Sequence, residues 1–77
     1  MAELIAALAR RLVDEPDAVR VEEVEEYDGT LVYRLHVAEA DIGKVIGRQG
    51  RLVRALRTIV RAGGVEAGRR LQLEIVD

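Results

Sequence analysis

Residues 41–51 read Asp-Ile-Gly-Lys-Val-Ile-Gly-Arg-Gln-Gly-Arg and decide the fold, because they place a Gly-x-x-Gly turn, Gly47 to Gly50, between two predicted helices. Glycine has no Cβ, so the backbone of a ligand can approach such a turn closely and a positive φ costs little. The turn also points free backbone N–H groups outward at the positive end of the following helix, which favours phosphate. Taken alone, the four residues fit an ordinary helix–turn–helix corner equally well.

The charge of the chain is concentrated in the same region. Residues 42–64 carry six cations and no acid, whereas the remaining residues carry six cations and fourteen acids, for a total of −2. Four of the cations share an arc of about 120° on the helix predicted over residues 51–62, and we call them the arginine face: Arg51, Arg54, Arg57 and Arg61. A solvated helix face usually mixes acids with bases, so this one favours an anionic partner.

The composition predicts one small domain, residues 1–77, with an aliphatic core. The chain has no cysteine and only two aromatic residues, Tyr27 and Tyr33. No apolar run approaches the ~20 residues of a membrane span, and the amino terminus does not resemble a signal peptide. We therefore expect a cytoplasmic location.

The first third of the chain predicts a helix and an acidic strand. Residues 2–14 favour a helix that ends before Pro16, with one apolar stripe: Leu4, Ile5, Leu8 and Leu12. Residues 18–26 predict a strand, which carries four carboxylates: Glu22, Glu23, Glu25 and Glu26. Such charges are typical of a protected sheet edge, an interpretation that we favour over the alternative of a metal site.

A hairpin follows the acidic strand. Asp28-Gly29 is a strong turn signal, and residues 30–38 predict the most regular strand of the chain. One face of that strand is apolar: Leu31, Tyr33, Leu35 and Val37. His36 lies on the other face, and because the chain offers no second histidine and no cysteine, we interpret it as a plain surface residue rather than a catalytic base.

The last half of the chain predicts two helices and a final strand. Residues 39–46 predict a short helix before the Gly-x-x-Gly turn, and Gly63-Gly64 predicts the end of the helix that follows it. Residues 65–69 then predict a loop and residues 71–75 a strand. A crossover through two helices makes this strand parallel to the second one. The predicted fold class is α+β, a three-stranded mixed sheet with the second strand central and helices on one face.

The order helix–strand–strand–helix–helix–strand, with Ile46-Gly47-Arg48-Gln49-Gly50 between the paired helices, resembles the type II KH domain. KH domains bind RNA, and their Gly-x-x-Gly loop clamps four nucleotides of its backbone. Three stretches also resemble the KhpA family of small bacterial single-KH proteins: Val-Asp-Glu-Pro-Asp at 13–17, the glycine-rich residues 43–51, and Ala-Leu-Arg-Thr at 55–58. This resemblance covers essentially the whole chain.

The resemblance implies a function, partners and site residues. The family is described as RNA chaperones that form homodimers or pair with a larger KH protein, KhpB, and in some bacteria affect cell elongation and the cell envelope. It implies backbone contacts from Gly47, Arg48, Gln49 and Gly50. It implies an apolar groove floor beside the second strand, formed by Ile42, Gly43 and Ile46. It implies added phosphate contacts from Lys44, Arg51 and Arg54.

Two features of this sequence limit the expected RNA affinity. The loop carries one cation, Arg48, rather than two, and no aromatic residue is placed to stack a base. Stacking is worth about 1–3 kcal/mol per base where it occurs. We therefore expect weak binding with little sequence choice, and no cofactor or metal is implied.

Other functions remain alternatives at this point. The small core and the acidic remainder favour a protein-interaction adaptor that uses the KH fold to dimerise. An enzyme is disfavoured, because Gly43-x-x-x-Gly47-x-x-Gly50 matches neither the dinucleotide fingerprint nor the P-loop. The sequence also offers no evident nucleophile–base pair. We predict that the protein is not an enzyme.

Overall fold

The structure, a computed structural model, describes residues 1–76, apart from the side chains of Arg48 and Gln49. Two α-helices and three strands are present in this part of the chain: α1 (Ala2–Arg10), β1 (Arg20–Glu25), β2 (Leu31–His36), α2 (Ile42–Ala67) and β3 (Leu71–Val76). Short 3₁₀ helices, Pro16–Ala18 and Glu39–Asp41, precede β1 and α2. Among the described residues, no helix combines the length and apolarity needed to cross a bilayer.

The sheet confirms the predicted topology. Its strand order is β1-β2-β3, with β1 antiparallel and β3 parallel to the central β2. The hairpin turn forms where predicted, because Gly29 adopts a φ of 88° and Asp28 Oδ1 accepts the Thr30 N–H at 2.9 Å. A turn of this kind needs a residue that tolerates positive φ. The α+β, type II KH order is therefore confirmed.

The core lies between one face of the sheet and the two helices. From β2, Tyr33 and Leu35 are buried as predicted, and Leu73 joins them from β3. The helix face opposite the arginine face completes this core with Val53, Leu56 and Val60. Leu56 is only 1% exposed, so it belongs to the core and is not a contact surface.

The apolar stripe predicted for α1 is partly wrong. Ile5 is fully buried, but Leu4 and Leu12 remain exposed, and the helix ends at Arg10 rather than at residue 14. Ala6 and Ala9 are buried in their place. Small side chains let a helix pack closely on a sheet, so the packed face of α1 contains alanines that a pattern based on large residues does not select.

A left-handed residue divides α2. The element runs from Ile42 to Ala67, yet Gly50 has a φ of 69°, which a regular right-handed helix does not contain. The interruption produces the predicted pair of helices, before and after Gly50. It is narrower than the predicted turn, since residues 47–49 are helical.

The predicted end of the second helix at Gly63-Gly64 is wrong, as is the loop over residues 65–67. The helix continues to Ala67, and Gly68 ends it with a φ of 67°. The N–H of Gly68 donates to Val65 O at 3.2 Å, and the N–H of Arg69 donates to Gly64 O at 2.8 Å, which is the Schellman pattern. A Cβ on Gly64 would lie 2.5 Å from the Arg69 carbonyl oxygen, so Gly64 is required for close packing rather than for termination.

The open face of the sheet carries a row of charges. Arg34 on β2 lies 3.5 Å from Glu22 on β1 and 3.7 Å from Glu74 on β3. His36 Nε2 also lies 3.2 Å from Glu22 Oε1. His36 therefore lies on the open face as predicted, but it is half-buried and has a carboxylate partner.

Candidate nucleic-acid interface

A groove lies between α2 and β3 and begins at the left-handed glycine. Its volume is about 390 Å³. Ile46 and Gly50 line one end, and Arg54 and Arg57 line the helix side. The floor is apolar and is formed by Val53, Leu73 and Ile75. The groove thus combines an apolar floor with a cationic wall. A flexible anionic chain that carries apolar faces would bind to such a surface.

The two glycines of the loop face open space. An added Cβ at Gly47 or at Gly50 would have no atom within 4 Å. Neither glycine is therefore needed for packing within the described structure. At Gly50 the positive φ explains the residue, whereas Gly47 has no such conformational requirement. A ligand backbone that approaches Gly47 closely would account for it.

The arginine face is exposed and free of counter-ions. All four of its side chains are exposed on α2, and none forms an ion pair with another of the described residues. By contrast, Arg34, Lys44 and Arg69 each contact a carboxylate. Unpaired cations on one helix face produce a local positive potential that attracts anions.

A buried carboxylate positions the start of α2. Asp41 is 1% exposed, and its two oxygens accept the backbone N–H groups of Asp14 at 3.1 Å and Glu15 at 3.0 Å. These bonds hold the connection between α1 and β1 against the start of α2. The same connection presents the Asp14 carboxylate, which lies 2.6 Å from Lys44 Nζ.

The family of this chain is shown by its similarity to known proteins. A family model described as KhpA/KhpB, KH domain, matches residues 2–75. The chain belongs to the KhpA/KhpB KH-domain family.

Curated relatives from distant bacteria match nearly the whole chain, and each is named RNA-binding protein KhpA. The Aquifex aeolicus protein is 48% identical over 97% of this chain and 94% of its own length. The Bacillus subtilis protein is 47% identical over 97% of this chain and 91% of its own length. The Caldanaerobacter subterraneus protein is 43% identical over 99% of this chain and its own full length.

The structure of this KhpA/KhpB-family domain brings together some of the predicted site residues and separates others. Ile46, Gly50 and Arg54 share the groove. Ile42 and Gly43 line a different hollow of about 850 Å³ beside His36, Val37 and Val76. The residues predicted for one floor beside β2 are thus divided: Ile42 and Gly43 lie at the end of β2, whereas Ile46 lines the groove along β3.

The remaining predicted residues take different positions in this KhpA/KhpB-family domain. Lys44 is paired with Asp14, as described above, and Arg51 is exposed one residue after Gly50. The side chains of Arg48 and Gln49 lie outside the described part of the structure. Sequence reasoning missed Leu73 and Ile75 of the groove floor. The alternation of the last strand marks them as apolar, but nothing in the sequence places α2 over that strand.

Two ionisable groups with shifted pKa values lie away from the groove. The Thr30 backbone N–H donates to Asp28 and lowers the pKa of that carboxyl below its ordinary value. Burial raises the pKa of the Tyr33 hydroxyl, and the nearby Glu23 carboxylate raises it further. Asp28 belongs to the hairpin turn and Tyr33 to the core, and neither residue lines the groove of this KhpA/KhpB-family domain.

Proposed function

We propose that this protein binds single-stranded RNA in the groove between α2 and β3. The observation that carries the proposal is the groove itself, which joins the left-handed Gly50 to the arginine face over an apolar floor. The family assignment and the relatives named RNA-binding protein KhpA support the same function. No catalytic step, metal or cofactor enters this proposal.

The proposed contacts divide by chemistry. The backbone of the RNA lies against the glycines Gly43, Gly47 and Gly50. Its phosphates contact Lys44, Arg48, Gln49, Arg51 and Arg54. Bases rest on the apolar floor that begins at Ile46, which is 47% exposed. For Lys44 this contact requires its ammonium to leave Asp14, an exposed pair worth at most about 1 kcal/mol.

The proposed binding is weak and reads little sequence. The described lining of the groove contains no aromatic side chain, so base stacking does not add its usual 1–3 kcal/mol or so per base. Phosphate contacts carry no sequence information. Short-lived contacts with many RNAs are what an RNA chaperone requires. We propose that the protein has this activity and that it acts in the cytoplasm.

A second candidate function is a protein-interaction adaptor. The observation that favours it is the exposed apolar surface on and just after α1. Leu4 of α1 is 47% exposed, and Leu12, two residues beyond the end of α1, is 54% exposed. Exposed large apolar side chains are found at protein contact surfaces. A second copy of the chain or the larger KhpB would cover them, with effects on the envelope and cell elongation downstream. Neither leucine belongs to the described lining of the groove, so both functions are compatible.

Fluorescence anisotropy with a labelled, unstructured RNA tests the groove. We expect wild type to bind with a log–log salt slope of about −0.7 per phosphate contact. The Arg48→Asp/Gln49→Asp variant should lose binding while circular dichroism shows it folded. The matched control, Arg10→Asp/Arg11→Gln on α1, makes the same change in net charge and should bind nearly as wild type. Equal binding by wild type and the loop variant would refute the proposal.

A glycine variant separates binding from folding. Gly47 is helical, and an added methyl there meets nothing within 4 Å. Gly47→Ala should therefore fold as well as wild type, with a helix-propensity gain of up to about 1 kcal/mol. If the RNA backbone approaches this position, the same methyl blocks it and affinity falls. Unchanged affinity would remove Gly47 from the site.

A further inference from the structure

The groove does not end at Arg57. A second hollow of about 240 Å³ shares Arg57 and Leu73 with it and continues along α2 and β3. A third hollow of about 570 Å³ shares Arg61 and Leu71 with the second. We call the third hollow, bounded by Arg61, Val65 and Arg70, the distal groove. The three hollows form one path from Gly50 to the end of α2.

The described lining of the distal groove carries cations and no acid. The cations are Arg61, Arg69 and Arg70. Arg69 is held by Glu25 and by the Gly29 carbonyl oxygen. Neither Arg61 nor Arg70 forms an ion pair within the described residues. Two exposed cations are thus available at the end of a path that starts at the proposed RNA site.

The path follows α2 away from Gly50. At 1.5 Å per residue, Arg61 lies about 16 Å and Gly68 about 27 Å from Gly50 along the helix axis. A Gly-x-x-Gly loop clamps four nucleotides, and the hollow that begins at Gly50 is lined along α2 only as far as Arg57. The distal groove therefore lies at the far end of the path.

We propose that the distal groove binds the next nucleotides of the same RNA strand. Arg61 and Arg70 contact their phosphates, and the side chain of Val65, which is 80% exposed, offers an apolar surface to a base. This inference rests on the proposed function. Continuity with the proposed site through Arg57 and Arg61 favours RNA over an acidic protein segment laid along the unpaired edge of β3.

RNA length is the variable that tests this inference. Binding of a four-nucleotide uridine RNA and of one three times as long is measured for wild type and for Arg61→Ala/Arg70→Ala. Both side chains are exposed, so the variant should fold. Two lost phosphate contacts should flatten the salt slope for the longer RNA by about 1.4 and leave the four-nucleotide RNA unaffected. The control variant, Arg10→Ala/Arg11→Ala, should change neither.

The outcomes separate this inference from the proposed function. If the variant binds the longer RNA like wild type while wild type still binds the short one, the distal groove is not an RNA site. If wild type binds neither RNA, the proposed function fails with it. If a poly-glutamate peptide needs Arg61 and Arg70 but the longer RNA does not, the distal groove belongs to an acidic protein segment and the inference is overturned.

Discussion

Replacement of the buried Asp41 by alanine should weaken the fold more than any exposed change near the loop. Asp41 is 1% exposed and accepts backbone N–H groups from Asp14 and Glu15. Asp41→Ala removes both acceptors and leaves two donors behind. Asp41→Asn keeps one carbonyl oxygen, so its free energy of unfolding should lie between those of Asp41→Ala and wild type.

The two bonds set the magnitude. A hydrogen bond to a charged group is worth about 1.5–3 kcal/mol, so two give about 3–6 kcal/mol. Both bonds are partly buried, which lets water reach the donors and favours the lower value, about 3 kcal/mol. A domain of this length has a total stability of about 4–12 kcal/mol. Asp41→Ala should therefore remove a quarter or more of the free energy of unfolding.

Urea unfolding followed by circular dichroism measures this loss. With an m-value of about 1 kcal/mol/M, a loss of 3 kcal/mol lowers the midpoint by about 3 M. The matched control is Glu39→Ala in the same 3₁₀ turn, because Glu39 is an exposed acid. Its free energy of unfolding should change by about 0.5 kcal/mol or less. Equal midpoints for Asp41→Ala and Glu39→Ala would show that the two bonds stabilise nothing.

Three further predictions follow from packing, pH and charge. Gly64→Ala should lower the free energy of unfolding by about 1–3 kcal/mol in thermal unfolding, because its methyl would lie 2.5 Å from a backbone oxygen. Gly47→Ala should not lower it. Equal effects of the two variants would contradict the packing argument. Because the pKa of Tyr33 is raised, its contribution to the free energy of unfolding is complete below about pH 10, the pKa of tyrosine in the unfolded chain. That contribution is lost as the pH rises through the pKa of the folded state. Alkaline unfolding that is equally steep in Tyr33→Phe would refute this. Asp14→Asn should free Lys44 and strengthen RNA binding by up to about 1 kcal/mol, because the ion pair with Asp14 no longer has to break. Unchanged or weaker binding would count against a phosphate contact at Lys44.

Local patterns predicted those parts of the fold that depend on neighbours in sequence. The Asp28-Gly29 turn, the alternation of residues 30–38 and the arginine face all follow from local backbone preference or helical periodicity. The order of these elements predicts the fold class, whereas the family follows from the resemblance of residues 13–17, 43–51 and 55–58 to known members. The acidic strand was predicted beside the next strand because the Asp28-Gly29 turn joins the two directly.

Contacts between distant residues explain what the sequence did not predict. Gly64 and Gly68 look alike as helix terminators, and only the packing of residues 69–71 against α2 separates their roles. Asp41 lies 26 and 27 residues from its partners. The sequence does not say which strand α2 covers, so it does not predict that Ile46 shares a groove with Leu73 and Ile75 of β3.

The left-handed conformation of Gly50 has a consequence for chirality. A residue of D configuration prefers the backbone region that Gly50 occupies, with its φ of 69°. A chemically synthesised chain with D-alanine at this position should fold at least as well as the natural one, whereas L-alanine is penalised by about 1–2 kcal/mol. Loss of RNA binding by the D-alanine chain would then report contact with the ligand alone. The mirror-image residue thus distinguishes a glycine kept for its backbone from a glycine kept for its partner.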